Sequence, residues 1–140
     1  MTVLNYPVSD ADSAPWWGAL QERRLLIQQC QDCQRLRWPA RAMCNDCGSI
    51  HGTWVPATGS GTIASWTVTH PPGPTADPYV VVVVRLDDQD DIFLPGFVDG
   101  PTDGLGLCIG MPVEVGFDEV EVGNDGWGLV VLHWHRSHAT

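Results

Sequence analysis

Two Cys-x-x-Cys pairs constrain the fold of this chain more than any other feature of its sequence. Cys30 and Cys33 form the first pair and Cys44 and Cys47 the second, with ten residues between the pairs. The two-residue gap lets both sulfurs of a pair turn to one side of a tight knuckle, and two facing knuckles complete a tetrahedral site of four thiolates. Because four protein ligands leave no position for water, we predict one structural Zn²⁺ that folds a zinc ribbon and performs no chemistry.

Two alternatives to zinc use the same cysteines. Four thiolates also hold iron in a rubredoxin-like electron carrier, which a visible absorption spectrum would reveal. The five cysteines of the chain would alternatively form disulfides, but no export signal directs it to an oxidising compartment. The longest aliphatic run, Val80 to Val84, is too short to span a bilayer. We therefore expect a cytoplasmic protein with reduced cysteines and no membrane segment.

The negative charge lies in the C-terminal part of the chain. The net charge is -10, and there is no lysine. Five of the seven arginines precede residue 52 and balance five acidic residues there, whereas residues 52–140 carry two arginines and twelve acids. Nucleic-acid binding draws most of its affinity from neutralising phosphates, so this acidic part should repel a polyanion. Single-stranded nucleic-acid binding, a frequent role of OB-fold barrels, is an alternative function that the charge disfavours.

The remaining pattern predicts a mainly β chain with one short helix. Pro15 suits the first turn of a helix and apolar residues then recur at helical spacing, so we predict a helix over Pro15–Arg23. The segment RLLIQQC is predicted to be a strand that enters the first knuckle. Five later segments have the composition of strands: TIASWTVTH, YVVVVVRL, IFLPGFV, PVEVGF and GLVVLHWH. Five short strands, with a bend at Pro95 and Gly96, favour an OB-fold barrel over a sandwich.

The predicted elements divide the chain into three parts. Residues 1–14 are expected to form an extended arm, residues 15–51 the helix plus zinc ribbon, and residues 52–140 the five-stranded OB-fold barrel. The acidic segment DDQDD, residues 87–91, is predicted to be a solvated hairpin tip because it lacks the glycine and the terminal glutamate of a calcium loop.

Taken in order, six segments resemble one protein family over nearly the whole chain: PWWGAL, QERRLLIQQCQDCQRLRWPAR, CNDCGS, GSGTIASWTVTH, YVVVVVRLDD and IGMPVEVGF. The family comprises zinc-ribbon plus OB-fold proteins associated with acyl-CoA enzymes, long catalogued only as a domain of unknown function. Two departures are visible. Gln34 stands where the first knuckle of the family usually has glycine, which eases a left-handed turn, and Pro39-Ala40-Arg41 replaces Pro-Pro-Arg. The four cysteines are intact.

The resemblance implies an accessory role. Members of the family look like non-catalytic subunits of thiolase-fold enzymes (thiolases, ketoacyl-CoA lyases, acyltransferases or sterol side-chain retro-aldolases) and sometimes of acyl-CoA hydratases. They complete an acyl-CoA tunnel or hold the enzyme in its active assembly. For this chain the resemblance implies a heteromeric complex in lipid or steroid metabolism, a coenzyme A thioester contacted jointly with the partner, and catalysis in the partner chain.

The tryptophans of the predicted helix are candidates for contact with such a partner. Trp16 and Trp17 lie on different faces of a helix of two turns, which cannot bury both faces in so small a body. Exposed tryptophans are favoured interface anchors, so we predict both at the partner interface. Packing of the helix against the barrel is the alternative.

The arginines of the ribbon are candidates for contact with coenzyme A. A guanidinium group stays charged and binds phosphate through two parallel hydrogen bonds, and an adenine ring stacks on tryptophan. We therefore predict coenzyme A contacts at Arg35, Arg37, Trp38 and Arg41. A solvated or partner-facing basic patch is the alternative.

Three further residues have side chains that bind metals or act as nucleophiles. His133 and His135 alternate on one predicted strand and share a face, at a spacing compatible with a metal pair. No third ligand is apparent, so we predict surface or interface histidines. Cys108 is isolated and is predicted to be a small buried apolar residue. No nucleophile pairs with a base and no P-loop or dinucleotide fingerprint occurs, so no catalytic residue is predicted.

Overall fold

A small three-stranded sheet and a closed barrel make up most of the fold. The computed structural model describes residues 10–122 and 127–137, so most of the predicted arm lies outside the described residues. The elements are α1 (Ala14–Gln21), β1 (Leu26–Cys30), β2 (Leu36–Arg37), β3 (Gly52–Pro56), β4 (Ser60–Thr69), β5 (Tyr79–Leu86), β6 (Phe93–Val98), β7 (Pro112–Val122) and β8 (Trp127–Arg136). No helix of the described part is long and apolar enough to cross a bilayer.

Helix α1 begins at a reciprocal turn between Asp10 and Ser13. The N–H of Ser13 donates to Oδ1 of Asp10 at 2.8 Å, and the N–H of Asp10 donates to Oγ of Ser13 at 3.1 Å. Pro15 occupies the first turn, where its missing N–H has no intrahelical partner to lose. The helix ends before Arg23, whose φ of 56° lies in the left-handed region. The predicted short helix is confirmed, and it ends at Gln21 rather than Arg23.

The ribbon sheet has the strand order β2-β1-β3, with both neighbours antiparallel to β1. Strand β3 pairs with β1 along its whole length, from Leu26 opposite Pro56 to Cys30 opposite Gly52. The sheet that supports the first knuckle therefore continues to Pro56. The predicted division of the chain at residues 51 and 52 stays a prediction.

Strands β4 to β8 form a closed barrel in the order β4-β5-β6-β8-β7, and the pairing of β4 with β7 closes it. All neighbouring strands are antiparallel except β6 and β8, which run parallel over a short stretch. The predicted mainly β fold, with a zinc-ribbon region followed by a five-stranded OB-fold barrel, is confirmed. The alternation of buried and half-buried residues along β5 shows why its valine run is a barrel strand.

Helix, ribbon and barrel share one core. Leu20 and Ile27, from the helix and the ribbon, belong to the same buried cluster as Val82 and Trp134 of the barrel. The fully buried ring of Trp134 lies against Gly96 of β6, where an added Cβ would meet its Nε1 at 2.8 Å. Glycine at this position therefore admits the largest side chain of the core.

The tip of the β5–β6 hairpin is docked onto the ribbon. Oε1 of Gln89 accepts a hydrogen bond from the N–H of Leu36 at 2.9 Å, and Nε2 of Gln89 donates one to the carbonyl of Leu36 at 2.8 Å. Asp91 accepts a hydrogen bond from Nη2 of Arg35 at 2.6 Å. Asp90 and Asp91 are exposed, as predicted for a solvated tip. The prediction is wrong for the half-buried Gln89, because the tip meets strand β2 in space although 53 residues separate Gln89 from Leu36.

Candidate metal centre

Each cysteine knuckle is closed by a residue in the left-handed region. The N–H of Gln34 donates to the carbonyl of Cys30, and the N–H of Gly48 donates to that of Cys44, each at 3.0 Å. The φ angles are 67° for Gln34 and 76° for Gly48. Glycine adopts this conformation freely, whereas glutamine is strained in it. The replacement of glycine by Gln34 therefore leaves the turn in place and adds local strain.

The two knuckles bring the four cysteine sulfurs to the spacing of a tetrahedral metal site. Sγ of Cys30 lies 3.6 Å from Sγ of Cys47, Sγ of Cys33 lies 3.6 Å from Sγ of Cys44, and all four lie within 4.8 Å of one another. Zinc bound tetrahedrally at a Zn–S distance of about 2.3 Å separates its sulfurs by about 3.8 Å, whereas a disulfide bond is about 2.0 Å long. The four sulfurs fit one ion and suggest a structural zinc.

Backbone N–H groups and neighbouring sulfurs set the protonation of the thiols. The N–H of Cys33 lies 3.5 Å from Sγ of Cys30 and is the main cause that lowers the pKa of Cys30 to about 6. The N–H of Ser49 acts on Cys47 in the same direction, but Sγ of Cys30, together with burial and the other two thiols, raises the pKa of Cys47 to about 12. Four thiolates in one pocket need a cation to balance their charge, which a metal ion held by the four sulfurs would supply.

The predicted coenzyme A residues line one polar cleft of about 170 Å³ beside the ribbon. Arg35 is paired with Asp46 at 3.1 Å and with Asp91 at 2.6 Å. Arg37 is only 8% exposed and donates from Nη2 to the carbonyl of Arg41 at 3.1 Å. The guanidinium of Arg41 is exposed and has no hydrogen-bond partner in the described part of the chain. Two of the three arginines are therefore engaged within the chain.

The two helix tryptophans have different surroundings. Trp16 is 6% exposed and its ring lies 5.5 Å from that of Trp38, with an angle of 57° between the ring planes. This burial favours the core-packing alternative for Trp16. Trp17 is half-buried and lines, with Trp38, an apolar groove of about 310 Å³ between α1 and the barrel. Because Trp16 packs against Trp38, only part of the Trp38 ring is open to a ligand.

The histidines of β8 have an acidic partner that sequence reasoning missed. Asp99, directly after β6, contacts both His133 and His135. It supplies the third metal-ligating side chain that the sequence did not reveal. Asp99 precedes His133 by 34 residues, and no local motif joins them.

Cys108 lies in the loop between β6 and β7 and is exposed. The prediction of a buried residue is wrong. Its apolar neighbours have the hydropathy of a buried segment, but Gly106 and Gly110 have φ angles of 90° and 87°, which turn the chain into a surface loop.

Comparison with known proteins identifies the family. A family model described as the ChsH2 rubredoxin-like zinc ribbon domain matches residues 17–49, and one described as the ChsH2 C-terminal OB-fold domain matches residues 54–118. The solved structure of an Ltp2-ChsH2(DUF35) aldolase contains a chain that is 34% identical, with a TM-score of 0.77, over 94% of this chain and 98% of that chain. The chain belongs to the ChsH2 (DUF35) family. The resemblance found in the sequence is confirmed.

Curated relatives of this ChsH2-family chain are named as enzyme subunits. A probable enoyl-CoA hydratase alpha subunit of Thermomonospora curvata is 35% identical over 130 residues, which are 91% of this chain and 34% of the relative. The 3-oxo-4,17-pregnadiene-20-carboxyl-CoA hydratase alpha subunit of Mycobacterium tuberculosis is 32% identical over 111 residues, which are 77% of this chain and 34% of the relative. The chain thus spans about a third of the length of both.

A more distant solved structure supports only the fold of this ChsH2-family chain. A protein of unknown function from the DUF35 family of Sulfolobus solfataricus is 15% identical, with a TM-score of 0.60, over 94% of this chain and 90% of that chain. At this identity the likeness extends to the arrangement of helix, ribbon and barrel and carries no argument about activity.

Proposed function

We propose that this chain is a non-catalytic subunit that binds a thiolase-fold enzyme, such as a thiolase, an acyltransferase or a retro-aldolase, and helps to form or stabilise its acyl-CoA site. One observation carries the proposal: the chain matches nearly the whole of a chain in an aldolase whose name joins ChsH2 to a second component, Ltp2. The curated hydratase relatives make an acyl-CoA hydratase the alternative partner.

The apolar groove beside α1 supports binding of another protein. Its lining is almost wholly apolar and includes Trp17, Trp38 and Phe97. Aromatic side chains that line a groove are favoured anchors for a partner's side chains. The proposal therefore keeps Trp17 as an interface residue. It does not include Trp16, because that side chain is buried in the core of the chain.

The donor set of the ribbon supports a structural role for its metal. Four cysteine ligands leave no open position for substrate or water, so zinc bound there would stabilise the ribbon and leave the chemistry to the partner chain. Reduced cysteines at this spacing are typical of a reducing compartment, and we place the complex in the cytoplasm.

Arg41 is the arginine best placed to contact coenzyme A within the proposed complex. It lies on the cleft beside the ribbon, is exposed, and keeps its guanidinium free of partners among the described residues. Arg35 and Arg37 instead hold the ribbon together through their ion pairs and hydrogen bonds.

Copurification tests the proposal directly. The tagged full-length chain, expressed in its source organism, is expected to copurify with a thiolase-fold enzyme whose acyl-CoA activity falls when the chain is removed. Trp17→Ala should weaken the complex about 30-fold, the effect of losing an interface anchor worth about 2 kcal/mol, with zinc content unchanged. Ile109→Ala is the matched control, because Ile109 is an exposed apolar side chain outside the groove.

Two results would contradict the proposal. The first is a copurifying enzyme whose activity is the same with and without this chain. The second is loss of zinc in Trp17→Ala, because it would place this tryptophan in the core of the ribbon rather than at an interface.

Steady-state kinetics of the complex tests the contact at Arg41. Arg41→Ala is expected to raise the KM for the acyl-CoA substrate about 10-fold with kcat unchanged, because the lost charge-assisted hydrogen bond is the same in ground and transition states. Arg24→Ala is the control, since Arg24 is exposed and pairs only with Glu22 at 3.3 Å among the described residues. An unchanged KM in Arg41→Ala would refute the contact.

A further inference from the structure

A second group of metal-ligating side chains lies on the outside of the barrel, where β6 and β8 run parallel. Phe97 pairs with His133 and Val98 with Trp134, and the N–H of Asp99 donates to the carbonyl of Trp134 at 3.2 Å. Trp134 points into the core, so its neighbours His133 and His135 point outward. The parallel pairing therefore places Asp99 beside both histidines on one outer face.

The three side chains converge on one point. The carboxylate of Asp99 contacts Nε2 of His133 through Oδ1 and Nδ1 of His135 through Oδ2. The two imidazole rings lie 5.0 Å apart, with an angle of 33° between their planes. The three ligand atoms all lie within 4.8 Å of one another. Small movements of these side chains would bring all three to bonding distance of one ion, at about 2.0–2.2 Å.

A second carboxylate orients His133. Nδ1 of His133 lies 2.5 Å from Oδ2 of Asp118 on β7, while Nε2 of the same ring contacts Asp99. Metal-ligating histidines almost always donate their other ring N–H to a carboxylate, a carbonyl or water, which fixes the tautomer and the ring orientation. With its proton on Nδ1, His133 presents the lone pair of Nε2 to the shared point.

A glycine on β7 makes room for His135. Gly116 pairs with His133 across the β7–β8 ladder, and a Cβ added to Gly116 would clash with Nε2 and Cδ2 of the His135 ring. The ring therefore lies over the backbone of β7 where only glycine leaves space. This position holds the His135 ring 5.0 Å from the His133 ring, although about half of the His135 side chain stays exposed to solvent.

We propose that Asp99, His133 and His135 form a second metal site, separate from the cysteine cluster, that binds a divalent ion of intermediate softness such as Zn²⁺. Two imidazoles and one carboxylate are the donor set of such ions, whereas Mg²⁺ and Ca²⁺ prefer oxygen alone. Three protein ligands leave at least one position open to an outside ligand. Two of the three ligands, Asp99 and His135, line a cleft of about 860 Å³ together with Glu114 and Arg136, which gives an outside ligand access to the site. The inference does not depend on the proposed function.

Zinc titration of the purified full-length chain, with its ribbon metal retained, tests the proposal. Calorimetry is expected to show one further equivalent of Zn²⁺ per chain, which metal analysis confirms after gel filtration. His135→Gln and Asp99→Asn should abolish this second equivalent while the ribbon metal stays bound. Asp118→Asn should weaken it by about 10–100-fold, as expected for loss of a group that orients a ligand. His70→Gln, at an exposed histidine outside the cluster, should bind the second ion normally.

Gly116→Ala tests the geometry without removing a ligand. The added methyl group displaces the His135 ring, so the second equivalent should bind at least about 10-fold more weakly. The proposal is overturned if wild-type protein binds no second ion with either Zn²⁺ or Co²⁺. It is also overturned if the second ion persists in both His135→Gln and Asp99→Asn, since either result would leave Asp99 as a simple ion-pair partner of the histidines.

Discussion

The docking of the β5–β6 hairpin on the ribbon gives a sharp prediction for Gln89→Ala. The substitution removes the two hydrogen bonds to the backbone of Leu36, at 2.9 Å and 2.8 Å, and leaves a half-buried N–H and carbonyl without those partners. It also removes an exposed hydrogen bond from Nε2 to Oδ1 of Asp91 at 2.6 Å, which adds little because water replaces it. Each of the two hydrogen bonds to Leu36 contributes about 1 kcal/mol net, so the free energy of unfolding should fall by about 2 kcal/mol. For a chain of this size the midpoint of thermal unfolding should fall by about 4–8 °C.

Urea unfolding of the zinc-saturated protein, followed by tryptophan fluorescence, measures this loss. The midpoint should fall with the slope unchanged, because the surface exposed on unfolding is nearly the same. Asp90→Ala is the matched control: Asp90 is exposed in the same tip, and its substitution should change stability by less than about 0.5 kcal/mol. Gln89→Glu should be at least as destabilising as Gln89→Ala, because it loses the donor to Leu36 and places a carboxylate beside Asp91.

A free energy of unfolding for Gln89→Ala within about 0.5 kcal/mol of the wild-type value would contradict this prediction. An equal loss in Asp90→Ala would also contradict it, because the effect would then come from the charge or flexibility of the tip and not from the amide hydrogen bonds.

Three further predictions concern single residues. Gln34→Gly should raise the free energy of unfolding of the metal-bound protein by about 0.5–1 kcal/mol in urea unfolding. Relief of the left-handed strain outweighs loss of the exposed hydrogen bond from Nε2 of Gln34 to the carbonyl of Gln31, at 2.9 Å, and equal or lower stability would show no strain at this turn. Gly96→Ala should lower the free energy of unfolding by about 1–3 kcal/mol, because the added methyl group meets the Trp134 ring at 2.8 Å. An unchanged urea midpoint would contradict that close contact. Cys108 should react with a maleimide in the native, zinc-loaded protein, and mass spectrometry should find one label per chain that Cys108→Ser abolishes.

The sequence alone predicted the parts of the molecule whose determinants are local. The two residues between the cysteines of each pair fix a knuckle whatever the rest of the chain does, so the four ligands were evident from spacing. Hydrophobic alternation and β-branched runs indicated the five barrel strands for the same reason, because side-chain direction alternates along any strand. The order of these segments was specific enough to indicate the family.

Tertiary structure decided the features that join distant parts of the chain. A two-turn helix does not specify which face meets the core, so packing against the barrel settled the burial of Trp16. The hydropathy of the segment around Cys108 did not reveal its glycine-rich surface loop. Asp99 reaches His133 and His135 only through the parallel pairing of β6 with β8, and Gln89 reaches Leu36 only because the hairpin folds back onto the ribbon. Such contacts depend on strand order and register, which are set by the shared core rather than by neighbouring residues.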